Sequence, residues 1–315
     1  MLQPGGSEDW LRPENRTYRN VRLAMIAVLL LLTVSVVIER LETNPSCWQG
    51  SISAYYYTPA HGVFVCSVLA IGVCMIVLKG NTPLENALLN IGGMFAPVVA
   101  LVPTPNPGSC WSVSQKLSDD ASPNIANNVW ALFAAGGLGL VMSYCLMVGA
   151  VRADKRDQKA GKDPRRIPRW GTVQSVALAV STGVLFVGIV WFWRWPENFE
   201  GIAHYAAAIT FFALIIAIVC LNAYGAWRNL DTDRALKLWV TGLYAAIAVL
   251  MLLVVGYGVT AWLTDSEYSL LRVEVYLVGL FIVFWIVQTK ELWTPGLRRT
   301  NTEVSSKAEA LAAHE

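Results

Sequence analysis

Apolar positions in this chain come in long unbroken runs. They show neither the alternation of a half-buried strand nor the one-sided stripe of a soluble helix. Runs of about 17–25 residues are the length that crosses a hydrocarbon core of about 30 Å. The pattern predicts about eight of them, over residues 21–38, 62–78, 86–102, 129–151, 172–193, 202–224, 239–263 and 270–288. The expected fold class is all-α: a polytopic transmembrane helix bundle. Residues 1–20 read as a polar cytoplasmic segment, 21–289 as a single membrane domain and 290–315 as a flexible cytoplasmic tail. The first run follows Glu8, Asp9 and Glu14, and no small-x-small cleavage site comes after it. It is therefore expected to stay as a span rather than leave as a signal peptide. Pro97 inside the third run predicts a kink, because proline removes one backbone hydrogen bond.

Composition agrees with a life in lipid. Of the 315 residues 55% are hydrophobic and only 15% charged, where soluble domains carry about 25% charged residues. A net charge of +2 gives no electrostatic footprint for nucleic acid. Charge placement adds an orientation. All the Lys and Arg except Arg40, Lys116, Arg194 and Arg272 fall in alternate connections, in the two terminal segments or, for Arg22, at the very start of the first run. By the positive-inside rule those are the cytoplasmic ones. Both termini are then expected inside a bacterial-type plasma membrane, with loops 39–61 and 103–128 on the extracytoplasmic side. The basic loop Arg152–Arg169 reads as a topology determinant. Trp170, Trp191, Trp193, Trp195, Trp227, Trp239, Trp262 and Trp293 fall at run ends, where amphipathic rings prefer the headgroup layer.

Candidate chemistry concentrates in the first outer loop, CWQGSISAYYYTPAHGVFV, residues 47–65. Ser51, Ser53, Tyr55 and Tyr56 lie in it, and His61 opens the second run. His204 and Glu274 lie near the starts of the sixth and eighth runs, at the same expected depth. Imidazole titrates near neutral pH, so a His–carboxylate pair among hydroxyls suits ligand or headgroup binding. These seven are the candidate ligand-binding residues; neither a catalytic set nor a metal-ligand set is assigned. Cys47 and Cys110 lie in the two long outer loops and form a candidate disulfide if that side is oxidising. Cys66, Cys74, Cys145 and Cys220 lie within runs and read as small packing residues.

No ionisable residue falls at mid-run, which argues against a carboxylate relay at the membrane centre. Asn90 and Asn222 read as interhelical hydrogen-bond formers. Ala135, Gly136, Gly137 and Gly139 form a small-residue patch expected to pack closely on another helix. His61 and His204 each open the second run of a four-run half, the placement a parallel internal repeat would give.

The segments SISAYYYTPAHGVFV, LKG and ALLNIGGMFAPVVALVPT, over roughly residues 47–105, resemble a bacterial family of multi-pass membrane proteins of unknown function. More distantly they are similar to the DRAM-like membrane proteins, in which a Ser-rich loop precedes a proline and a Phe-initiated span. The resemblance implies a membrane protein and draws interest to Ser51, Ser53, Tyr55 and Tyr56, and implies no chemistry. The expected function is non-enzymatic: binding of a lipid headgroup or small ligand at the outer face, for sensing or transport. The alternative is a membrane-embedded metal-dependent lipid hydrolase using His61, His204 and Glu274. Membrane lipids are the expected partners, self-association is left open, and no cofactor is expected.

Overall fold

The structure is a computed structural model, and it describes residues 13–43, 47–106, 108, 110, 112–159, 171–228, 234–264 and 269–293. Most of the N-terminal segment, residues 160–170 of the basic loop, Trp170, the Trp262 side chain and the tail from residue 294 lie outside that description.

Among the described residues the chain forms only helices. They are α1 (Pro13–Glu42), a 3-10 turn (Ser53–Tyr57), α2 (His61–Val77), α3 (Pro83–Leu101), the short α4 (Gln115–Asp119), α5 (Ala121–Lys159), α6 (Thr172–Arg194), α7 (Pro196–Arg228), α8 (Arg234–Leu263) and α9 (Ser269–Glu291). Every apolar run lies in one of them, apart from the terminal Leu78 and Val102. Seven are long and apolar enough to cross a membrane; α2, with 17 residues, is a shorter apolar helix. At about 1.5 Å per residue α2 rises about 26 Å. The 3-10 turn packs above its first residues and completes that end.

Helices α1, α2, α3, α7, α8 and α9 each touch the next, and α9 returns to α1, so the six close a ring. Its interior is filled by Met25, Leu29, Met75, Leu89, Ile215, Tyr244, Phe281, Phe284 and Trp285, all buried. The outward faces carry large apolar side chains such as Leu31, Val73, Ile209, Leu253 and Tyr276. A soluble monomer rarely exposes contiguous apolar surface on this scale; in lipid no water is present to penalise it.

Two joints fix the ring. At the first, α2 and α3 meet backbone to backbone at Gly72 and Gly93. A Cβ on Gly93 would lie 2.6 Å from the Gly72 carbonyl oxygen, and one on Gly72 would lie 2.9 Å from the Gly93 oxygen. Pro97 sits four residues after Gly93 and supplies no N–H to that carbonyl. The helix nevertheless runs on through Pro97, its freed carbonyl turned to the glycine of the neighbour. The second joint starts at Thr82, whose hydroxyl caps α3 by accepting from Glu85 N at 3.1 Å. The cap extends the helix back to Pro83 and carries Glu85 inside.

Helices α5 and α6 stand outside the ring and touch it at α3 and α7. An aromatic cluster of Trp130, Phe133, Phe192 and Phe199 joins them near one end, with ring centroids 5.1–6.3 Å apart. The expected close packing of the Gly136–Gly139 patch is not found. Among the described residues only Leu185 comes within 4 Å of a Cβ on Gly136 or Gly137, and nothing does of one on Gly139. The repeat suggested by the two histidines also fails in the arrangement. In a parallel repeat α6 and α5 would match α1 and α9, yet the latter pair belongs to the ring and the former does not.

Candidate functional site

Loop 47–60 closes one end of the ring as a packed lid. Cys47 and Cys110 are disulfide-bonded, with Cα atoms 5.8 Å apart, which ties the lid to the segment after α3. Tyr57 donates its hydroxyl to the Thr104 carbonyl (2.8 Å), and Tyr57 O accepts from Ser114 N (2.7 Å). Ser51 Oγ accepts from Ala54 N (3.0 Å) and starts the 3-10 turn. The turn buries Tyr55, Tyr56 and Tyr57 against Leu32, Val36 and Phe64. Burial raises all three phenol pKa values, that of Tyr57 to about 12. For Tyr57, nearby Tyr56 and Tyr205 add to the effect, because a phenolate beside them would be repelled as they ionise.

Glu274, in the first turns of α9, holds the lid from below. Its carboxylate accepts from the Ile52 main-chain N–H and from Ser53 Oγ at 3.3 Å. Beneath this junction lies a cavity of about 70 Å³ between α1, α2, α3, α7 and α9. Leu29, Leu32, Phe64, Val68, Ile71, Val99, Phe211, Phe212, Val278 and Phe281 are among its walls, and Ser53 and Glu274 are the polar side chains that line it.

The seven candidate residues gather at this end but do different work. Ser53 and Glu274 meet at the cavity roof. Ser51, Tyr55 and Tyr56 build the lid and are buried within it. His61 faces the Tyr56 carbonyl through Nδ1 at 2.6 Å, with its ring edge-on to the Tyr56 ring at 4.3 Å. His204, buried, faces the Val102 carbonyl through Nδ1 at 2.7 Å. A ring nitrogen that close to a carbonyl carries the proton and donates, so both imidazoles tie down main chain. His61, His204 and Glu274 thus each engage partners of their own and not one another. Among the described residues no group of three or more His, Cys, Asp or Glu is placed to hold a metal ion.

A second polar cluster closes the opposite end of the ring, and of its members only Asn222 is among the residues that the sequence pattern marks. Glu85 of α3 is 2% exposed. Its Oε1 accepts from Asn222 Nδ2 of α7 (2.8 Å), Gln288 Nε2 of α9 (3.3 Å) and Asn81 Nδ2 (3.4 Å). Its Oε2 accepts from Asn81 N (2.8 Å). Gln288 Nε2 also donates to Asn222 Oδ1 (3.1 Å). Asn222 therefore makes the expected interhelical bonds, whereas Asn90 Oδ1 is buried without a partner. Because α3 and α9 are not neighbours in the ring, the Gln288–Glu85 contact crosses its interior. The signal that marks Glu85 is Thr82-Pro83-Leu84-Glu85, the capping-box spacing that places an acidic residue in the first turn of a helix.

Comparison of the chain with protein-family models, with curated proteins and with solved structures finds no match. The geometry is therefore the ground for a functional reading.

Proposed function

We propose that this chain is an eight-span protein of the plasma membrane that binds a small amphiphile beneath its lid, for sensing or transport. In this reading both termini are cytoplasmic, α2 is the eighth span, and loops 39–61 and 103–128 face outward. The distribution of Lys and Arg supports that orientation. So does the lid disulfide, since such bonds persist on an oxidising side.

One observation carries the ligand class: an apolar cavity whose polar lining is a carboxylate and a hydroxyl at one edge. A carboxylate accepts hydrogen bonds and favours positive charge, so the matching head is an ammonium or another cationic donor. The matching body is short and apolar. A cavity of about 150 Å³ holds benzene, and this one has about half that volume. A longer body therefore requires the lid to lift from Glu274.

The test is thermal unfolding of detergent-purified protein with short alkylammonium ions, with the matching alcohols and carboxylates as controls. Alkylammonium is expected to stabilise saturably, and the Glu274→Gln variant is expected to lose that response. The variant keeps an oxygen to accept from Ile52 N, so the lid should stay seated. Stabilisation by alcohols alone, or an undiminished response in the variant, rejects the reading.

A further inference from the structure

The cluster at the opposite end poses a problem of charge. Glu85 is buried, and its hydrogen-bond partners among the described residues are neutral: the amides of Asn81, Asn222 and Gln288 and one main-chain N–H. Amide donors ease the burial of a carboxylate but do not cancel its charge, and an uncompensated charge inside a helix bundle is costly. A second observation sits in the same cluster. Gln288 is 1% exposed, its Nε2 serves Glu85 and Asn222, and its Oε1 has no hydrogen-bond partner.

We propose that this cluster is a binding site for a small monovalent cation, held by the Glu85 carboxylate and the amide oxygens of Asn222 and Gln288. Two constraints decide which oxygens face inward. Asn222 is fixed, because its Nδ2 also donates to Ile218 O at 3.0 Å, which leaves Oδ1 turned toward Gln288 and toward Asn81 Nδ2, which donates to it at 3.5 Å. Gln288 is held through Nε2 alone, because among the described residues nothing bonds its Oε1 in the present rotation. Turning that amide by half a revolution exchanges two nearly isosteric atoms. Oε1 then stands where Nε2 is now, 3.3 Å from Glu85 Oε1 and 3.1 Å from Asn222 Oδ1. The rotation gives up the two bonds that Nε2 donates to Glu85 and Asn222, and the bound cation takes the place of those donors and supplies the counter-charge. Three oxygens so spaced can surround a hard cation at metal–oxygen distances of about 2.4 Å.

The donor set selects the ion. Carboxylate and amide oxygens without His or Cys suit hard cations rather than transition metals. One carboxylate is neutralised by one positive charge, whereas a divalent ion would leave a buried excess. The ligands come from α3, α7 and α9, so a bound ion would cross-link three helices of the ring around its interior.

The experiment is thermal unfolding of the full-length protein in detergent in NaCl, KCl or LiCl, each compared at the same ionic strength with MgCl2, whose divalent ion a single carboxylate does not suit. A saturable rise in melting temperature with one of the alkali ions, absent with magnesium, is expected. Glu85→Gln should abolish it. Gln288→Leu should weaken the apparent affinity at least about tenfold, equivalent to about 1.4 kcal/mol. Glu274→Gln should leave it unchanged, which separates this site from the cavity under the lid. An equal melting temperature in all four salts overturns the proposal, as does a cation response that survives Glu85→Gln. Should Glu85→Gln fail to fold, Gln288→Leu decides, because an unchanged apparent affinity in that variant also rejects the site.

Discussion

The ring and the α5–α6 pair are built from similar material and held in different ways. Both are long apolar helices with glycines in their middles. In the ring, glycine lets two backbones touch at Gly72 and Gly93, Asn222 and Gln288 reach across to Glu85, and a disulfide-tied lid closes one end. In the pair, contact depends on aromatic side chains near one end, while Leu138, Val141, Met142 and Leu146 of α5 face outward. The difference teaches what apolarity does and does not decide in lipid. It makes a helix cross, but it gives little preference for one neighbour over another, because lipid tails are as apolar as leucine. Neighbours are chosen by close backbone approach and by polar groups that need partners.

The largest expected effect comes from opening the lid of the ring. The Cys47–Cys110 bond closes a sequence separation of 63 residues. Removing a native disulfide typically costs about 2–5 kcal/mol. Cys110→Ser, or reduction of the native protein, should lower the unfolding temperature and speed proteolysis within residues 47–60. A matched loss of a free thiol in the bundle, Cys145→Ser, should do neither, since Cys145 is unpaired and exposed. Equal effects of the two substitutions would show that the lid is held by packing alone.

Next comes the alkaline limit of the lid. An exposed tyrosine in the unfolded chain ionises near pH 10, whereas burial raises Tyr57 to about 12. The folded state therefore keeps a proton that the unfolded state has released. The stabilisation is fully present below pH 10 and is lost as pH rises through about 12. Two units correspond to up to about 3 kcal/mol. Unfolding followed against pH, with phenolate absorbance as the second readout, should show this slope in the native protein. Tyr57→Phe should flatten it, although it also removes the 2.8 Å bond to Thr104. An unaltered slope in the variant would assign the alkaline loss to other groups.

Much of this was legible in the sequence for a physical reason. A span must be apolar all round, so Val21–Ile38 or Trp239–Leu263 stand out by length alone. Ring membership was not legible, because Ile209 facing outward and Ile215 facing inward are the same residue type. The residues at the lid end were legible as a group, since loop 47–61 is dense in Ser, Tyr and His. Their division of labour was not. Whether a histidine serves a ligand or a carbonyl depends on where Val102 and Tyr56 lie in space. Glu85 lies just before the apolar run that starts at Asn86, so hydropathy alone leaves it in the connection, although the cap at Thr82 draws the helix back over it.

The smallest expected effects are the ones that test the comparison itself, and they come as a pair. Gly93→Ala adds a Cβ 2.6 Å from the Gly72 carbonyl oxygen and 2.6 Å from Ile76 Cγ1. The side chain of Ile76 can turn, but a carbonyl in the neighbouring helix moves only with its backbone. The joint should open at a cost of about 1–3 kcal/mol, the range for overpacking a filled core. Gly139→Ala adds the same methyl where nothing described lies within 4 Å. There the change should be within about 0.5 kcal/mol, shifted toward stability because alanine loses less backbone freedom in a helix. Unfolding in mixed micelles, with the two variants side by side, measures both. Equal losses would mean that the Gly139 face is covered in the membrane. Cross-linking between introduced cysteines on α5 would then show whether a second copy covers it. Unequal losses in the expected order would place the constraint in the ring and leave the pair as its periphery.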